Sequence, residues 1–295
     1  MEAALRSATV ELADAGILSA RTDAEFLLAA RLRIRRPELV RQALLGRTMT
    51  SEHAFAYGDL VRERATRVPL QHLTGYADFA GITLSVGPGV FVPRPETEMI
   101  VARSVAMAAD IASPLIVDLC TGSAAIPLAL KHALPRADLH AVELSEHAHA
   151  WAARNVEALG LTVDLRLGDA AFAFDDLVGL VDIVTCNPPY ISVGATPVDP
   201  EVRDHDPSAS LYGLSEDGLT VPAMMAQRAA RLLKQGGILL MEHAETQGSV
   251  LVARLIATNV WERVEDHCDL NDRPRMVEAI RGPIRLSECA KDEDQ

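Results

Sequence analysis

The residues of this chain best suited to chemistry are Asn187-Pro188-Pro189-Tyr190. They follow the apolar run Leu180 to Cys186, which reads as a buried strand, so Asn187 stands at a strand's carboxyl end, where open α/β sheets hold their ligands. The two prolines remove two backbone donors and fix φ at about −65°, which holds the neighbouring carbonyls rigidly and leaves them free to face a ligand. Tyr190 adds a flat apolar face. The set suits a planar group with N–H hydrogens to give, either the exocyclic amine of a base or a side-chain amide.

Three other strand ends carry polar groups. Leu115 to Leu119, with Asp118 inside it, runs into Cys120-Thr121-Gly122-Ser123-Ala124, a tight turn over which a nucleoside cofactor can lie. The glycine pattern of dinucleotide binders is absent there, because only Gly122 remains of a possible three. Glu143 ends the second strand, 25 residues after Asp118, about where an acidic side chain accepts hydrogen bonds from both ribose hydroxyls. Gly168-Asp169-Ala170 follows the third strand, where Asp169 or an adjacent backbone group can read an adenine amine. Taken singly, each is an ordinary strand-end carboxylate or turn; together they align polar groups at the carboxyl ends of four successive strands.

The elements that must position these residues are legible in the pattern. Strands are expected at 115–119, 138–143, 162–167, 180–186, 238–243, 261–267 and 275–281. Helices are expected near 124–133, 146–159, 221–235 and 247–258. This alternation marks an α/β fold with a mostly parallel, doubly wound sheet, and the last two strands, with no helix between them, form an antiparallel hairpin. Residues 1–70 read as four short helices. The first ends at Gly16, the second starts near Asp23 on a capping box of Thr22 and Glu25, the third opens on Pro37 and closes at Gly46, and the fourth runs from Thr50 or Ser51 to about Thr66. Glycine-punctuated β pieces at 71–93 form a hairpin linker, 94–286 form the sheet domain with a helix from Met99 to Ala109, and the acidic 287–295 form a flexible tail.

Composition narrows the function. The net charge of −13 is unevenly placed, with 11 Lys/Arg against 10 Asp/Glu in residues 1–90 and 17 against 31 in the remainder. Nucleic-acid binding needs a basic footprint, so stable nucleic-acid binding is not expected and a protein or small-molecule substrate is favoured. Cys120, Cys186, Cys268 and Cys289 lack metal or redox spacing, and Cys186 has no basic sequence neighbour to make it a nucleophile. No metal is expected, Asp204-His205-Asp206 being read as a solvated loop. With no apolar span or signal core, a cytoplasmic protein with reduced thiols and no membrane partner is expected. The arginines at 31, 33, 35, 36 and 41 read as a solvated face or, alternatively, as a docking surface for an acidic partner.

The order of these motifs resembles the class I S-adenosylmethionine-dependent methyltransferases and, more narrowly, the HemK/PrmC family, which methylates the glutamine of the Gly-Gly-Gln motif in peptide chain release factors. Pro69 to Tyr76 and Pro93-Arg94-Pro95-Glu96-Thr97-Glu98 resemble the family's linker and the start of its catalytic domain; Glu201-Val202-Arg203 and Asp217-Gly218-Leu219 resemble later segments. The resemblance implies a seven-stranded Rossmann-like methyltransferase sheet behind a helical substrate-recognition domain. It further implies a cofactor site at Asp118, Cys120 to Ala124, Glu143, Asp169, Ala170 and Asn187. Asn187, Pro188 and Tyr190 become catalytic, and Pro189 and Arg94 join them in binding substrate. This chain departs from the family's Gly-Thr-Gly-Ser-Gly at Cys120 and Ala124, and from its usual Asp at Glu143. Two alternatives stand beside this reading: an adenine-amino methyltransferase of DNA or RNA, which the same tetrapeptide serves, and a non-catalytic S-adenosylmethionine-binding interaction protein.

Overall fold

The computed structural model describes residues 1–283, so the tail expected at 287–295 lies outside the described residues. The chain divides into two compact units. The first comprises residues 1–77, 86–88 and 196–206. Its helices are α1 (Glu2–Asp14), α2 (Ala20–Leu32), α3 (Arg36–Leu44), α4 (Ser51–Ala65) and the single turn α5 (Leu70–Thr74). Leu5, Leu12, Leu27, Leu28, Leu39, Tyr57 and Val61 fill its core. Gly16 and Gly46 take the left-handed φ that ends α1 and α3, and Thr50 caps α4 by accepting from His53 N–H. The start of α2 corrects the expected capping box. The helix begins at Ala20, and Asp23 is drawn inside by the Ser19 hydroxyl (2.7 Å) and the Arg64 guanidinium (2.8 Å), so tertiary pairing overrides the local cap signal.

The predicted arginine run is mostly paired. Arg31 reaches Glu52, Arg36 reaches Glu25 and Arg41 reaches Glu38. The same unit holds residues 196–206, where Arg64 bridges buried Asp23 and Glu201, and Arg67 reaches Glu201 and Asp199. Asp204, in the cluster discounted as a metal site, pairs with its neighbour Arg203.

Along the chain, α5 is followed by a hairpin of β1 (Tyr76–Phe79) and β2 (Ile82–Ser85), then by α6 (Glu98–Met107). The sheet unit continues with β3 (Leu115–Leu119), α7 (Ala125–Ala133), β4 (Asp138–Glu143), α8 (Glu146–Leu159), β5 (Asp164–Leu167) and β6 (Val181–Cys186). A short helix, α9 (Pro200–His205), precedes α10 (Thr220–Leu232), β7 (Leu233–Glu242), α11 (Gly248–Ala257), β8 (Trp261–Cys268) and β9 (Pro274–Arg281). Residues 233–235, expected to close α10, instead open β7: Leu233 pairs with Val181, and Lys234 forms an ion pair with Asp182.

The sheet order is β5-β4-β3-β6-β7-β9-β8, parallel except for β9, which runs antiparallel to both β7 and β8. Because parallel strands are covered on both faces, β6 is buried along its full length, and its two polar members, Asp182 and Thr185, are paired with Lys234 and Asp118. From β3 the chain moves outward to β4 and β5 and then returns to β6 on the other side of β3. The crevice of such a sheet opens at that reversal.

Candidate active site

Sheet register determines which side chains meet. Leu119 pairs with Val142 on one side and Cys186 on the other, and Cys186 pairs with Met241. One residue further, Glu143, Cys120, Asn187 and Glu242 form a row across the carboxyl ends of β4, β3, β6 and β7. Gly168 joins the end of the row by donating its N–H to the Glu143 carbonyl at 2.9 Å.

The turn after β3 has three residues in the left-handed region, Cys120 (φ 62°), Gly122 (φ 58°) and Ala124 (φ 63°). Side chains at the first and last carry a strain of about 1–2 kcal/mol each. Both are absorbed by packing: Cys120 Sγ lies 3.6 Å from Met225 Sδ, and Ala124 is wholly buried in the core. At Gly122 a Cβ would meet nothing within 4 Å, so the turn keeps an open face. Asn155 of α8 holds the turn from behind, donating to the carbonyls of Ser123 and Ser85 at 3.0 Å and accepting from Ser85 N–H at 2.7 Å.

Carboxylates flank this turn. Asp118 Oδ1 accepts from the Thr185 hydroxyl at 2.6 Å, and the Thr121 hydroxyl lies against the same buried carboxyl. Burial pushes the Asp118 carboxyl up to about 7. Glu143 accepts from the N–H groups of Gly122 (2.7 Å) and Ser145 (2.9 Å), and burial raises its proton affinity against those bonds. The four lone pairs of the carboxylate outnumber the backbone N–H groups that reach it. Asp169 accepts from Ala171 N–H at 2.8 Å, and Ala170 is buried beside it.

Asn187 is held through residues that the motif reading had not included in the site. Its Nδ2 donates to the Thr97 hydroxyl (3.2 Å), Thr97 donates to Glu242 Oε2 (2.7 Å), and the Tyr190 hydroxyl donates to Glu242 Oε1 (3.1 Å). Glu242 is buried, which raises its proton affinity, and burial does the same to the Tyr190 phenol. Gln247 ties the loop down, donating to the carbonyls of Tyr190 (2.8 Å) and Asp217 (2.7 Å). A Cβ on Gly218 would stand 2.1 Å from the Tyr190 carbonyl, so only glycine fits there. Pro188 is buried and Pro189 half-buried within this loop. Arg94 sets its guanidinium over the Phe91 ring at 5.1 Å; Thr97, three residues on, is the member of that segment that reaches Asn187. Cys186 is buried and its thiol pushed up by burial, which suits a core residue and not a nucleophile.

Residues 3–75 match the PrmC N-terminal domain, and residues 97–199 match the methyltransferase small domain. The chain is 47% identical over 280 residues to the release factor glutamine methyltransferase of Streptomyces coelicolor, covering 94% of this chain and 96% of that protein. It belongs to the release factor glutamine methyltransferase family. Family architecture also extends to a 4-amino-L-phenylalanine/4-methylamino-L-phenylalanine methyltransferase of Streptomyces pristinaespiralis, 37% identical over 276 residues and 91% of each chain. A solved 16S rRNA N2 G1207 methyltransferase of T. thermophilus, in complex with AdoMet and guanosine, shares the fold with a TM-score of 0.51 at 18% identity, over 70% of this chain and 49% of that one. The Rossmann-like methyltransferase sheet expected from the sequence is thus the family member's fold.

Proposed function

We propose that this protein transfers a methyl group from S-adenosylmethionine to the side-chain amide nitrogen of the glutamine in the Gly-Gly-Gln motif of peptide chain release factors. The observation that carries the reading is the orientation of Asn187. Its nitrogen is committed to Thr97, so its oxygen is the end left to accept from a substrate N–H. The cofactor would be held by Asp118, the Cys120–Ala124 turn, Glu143, Asp169, Ala170 and Asn187. These residues fit it: Asp118 and Thr121 set buried polar groups beside the turn, and the space at Gly122 and Gly168 is open. Bound there, S-adenosylmethionine supplies a sulfonium-activated methyl group.

The chain's own residues address the weakness of the nucleophile. An amide nitrogen shares its lone pair with its carbonyl, so acceptors on its N–H hydrogens are needed to raise its electron density and fix its direction. Asn187 Oδ1 and the Pro188 carbonyl serve as those acceptors, and Tyr190, anchored on Glu242, presents its ring to the amide plane. Alignment of this kind contributes several kcal/mol, up to ~7–11 in the best cases. The proton leaves to solvent after transfer. Arg94 contributes to substrate binding, and the helices of residues 1–70 recognise the protein around the target glutamine, since one side chain offers too few atoms for selection. On this reading the protein works in the cytoplasm beside its substrate; among the described residues no helix is long and apolar enough to cross a membrane.

An aromatic amine also presents N–H hydrogens to such acceptors, and the phenylalanine-type relative makes it the second substrate class to test. Incubation with S-adenosylmethionine and release factor is expected to add one methyl group to the tryptic peptide bearing the Gly-Gly-Gln glutamine. Asn187→Ala should lower turnover by ~100-fold or more, with a much smaller loss of cofactor affinity because the other residues proposed to hold the cofactor remain. Methyl transfer to 4-amino-L-phenylalanine and not to release factor would replace the proposed substrate.

A further inference from the structure

A carboxamide has nearly the same shape either way round, and only one way round helps this reaction. Asn187 must show its oxygen to a substrate amide, because its NH2 would set donor against donor. Which end faces outward is decided by the hydrogen-bond chain behind it.

That chain can be counted hydrogen by hydrogen. Thr97 has a single hydroxyl hydrogen, and its oxygen lies 2.7 Å from Glu242 Oε2 and 3.2 Å from Asn187 Nδ2. The other Glu242 oxygen accepts from the Tyr190 phenol at 3.1 Å. A carboxylate accepts at both oxygens and gives nothing back. The Thr97 hydrogen therefore goes to Glu242, and Thr97 has only lone pairs left for Asn187, which must turn its NH2 inward and its oxygen out. A protonated Glu242 would instead donate to Thr97, freeing the Thr97 hydrogen for the Asn187 oxygen and reversing the amide.

We propose that Glu242 is a positioning residue that acts through Thr97 to fix the Asn187 carboxamide with its oxygen toward the substrate. This rests on the proposed methylation of an amide at this site. Glu242 ends β7 in register with Asn187, so the sheet itself places the two side by side. The groups that face it are the Thr97 hydroxyl ahead of α6, the Tyr190 phenol after β6, Arg275 of β9, whose charge favours the carboxylate, and Glu96, whose charge opposes it. Burial raises the Glu242 proton affinity above that of an ordinary glutamate. As pH falls through that raised value the carboxylate is lost, and turnover should fall with it.

The test uses the full-length protein with release factor as substrate. Thr97→Val and Glu242→Leu should each lower kcat by ~100-fold, with KM for release factor and Kd for S-adenosylmethionine changed by no more than about threefold. Glu242→Gln can still accept from Thr97 and serves only to remove the titrating group. Thr97→Ser keeps the hydroxyl and should restore kcat to within about threefold of wild type. At saturating S-adenosylmethionine the acid limb of the wild-type kcat profile should shift or weaken in Glu242→Gln. Wild-type kcat in Thr97→Val, a Thr97→Ser variant as slow as Thr97→Val, or an acid limb unchanged by Glu242→Gln would each overturn the assignment. If the Glu242 variants do not fold, the two Thr97 variants decide. Wild-type protein that methylates no release factor overturns the functional reading and this assignment with it; wild-type turnover with unaffected variants overturns the assignment alone.

Discussion

In the helical unit the buried carboxylates of Asp23 and Glu25 lie against the guanidinium groups of Arg64, Arg21 and Arg36, whereas at the carboxyl edge of the sheet those of Asp118, Glu143 and Glu242 lie against hydroxyls and backbone N–H groups. The first arrangement neutralises charge within the protein. The second leaves proton affinity raised, most clearly at Asp118, and so leaves the carboxylates responsive to whatever binds. Position, more than unit, sets the rule. Glu278, in the middle of β9, is a buried acid of the sheet unit, yet against the upward push of burial Arg103, His267 and Arg263 hold its carboxyl below the ordinary value. Arginine-paired acids serve the fold, while acids paired with neutral donors line the candidate site.

The contrast is most directly broken at Arg64. Arg64→Ala leaves Asp23 and Glu201 without their shared cation, and removing one partner of a buried pair costs ~3–5 kcal/mol. Urea denaturation should show a loss of this size, and a loss under about 1 kcal/mol would mean that solvent already shields these acids.

Asp118 should behave in the opposite sense. Burial pushes its carboxyl up to about 7 in the folded protein against 3.8 for a free side chain. A raised value means that the stability contribution is full below the unfolded pKa and is lost as pH rises through the folded one. Without cofactor, Asp118→Asn should therefore be more stable than wild type above about pH 8, by on the order of 2–4 kcal/mol, with the gap closing towards about pH 4. Thermal unfolding across that range checks it, and a gap that does not change with pH would show that Asp118 ionises freely.

The smallest effect is expected in the backbone between these acids. Cys120→Gly relieves about 1–2 kcal/mol of left-handed strain and gives back about 0.5–1 kcal/mol in unfolded-chain entropy. A net gain of about 0.5–1 kcal/mol with unchanged cofactor affinity is expected by thermal unfolding and calorimetry. A loss of stability would show that the contact with Met225 outweighs the strain.

Much of the sheet was legible because buried parallel strands appear as continuous apolar runs, and β3, β4 and α8 fall where the pattern puts them. The alignment of Cys120, Glu143 and Asn187 was also foreseeable, since each residue ends a strand. Thr97 and Glu242 were not picked out as site residues, although both lie in segments the family resemblance touched. Thr97 meets Asn187 across 90 residues, and a helix start explains it equally well in one dimension. Glu242 ends Ile238-Leu239-Leu240-Met241 as Glu143 ends its own strand, and that likeness was the available signal; that β7 lies beside β6 is a matter of sheet order, which no local pattern states. The early start of α2 was hidden for a similar reason, because the partner of Asp23 is 41 residues away.

The antiparallel β9 has a consequence for how the enzyme is made. It lies between β7 and β8, with Met276 opposite Glu242 and Val277 opposite Met241. Until residues 274–281 have left the ribosome, β7 has β6 on one side and an unpaired edge on the other. A nascent chain stopped before Pro274 would carry the turn after β3 and the Asn-Pro-Pro-Tyr loop in full, yet leave Glu242 on an open edge prone to mispairing. Alignment of Glu242 with Asn187 therefore waits for β9 to be synthesised.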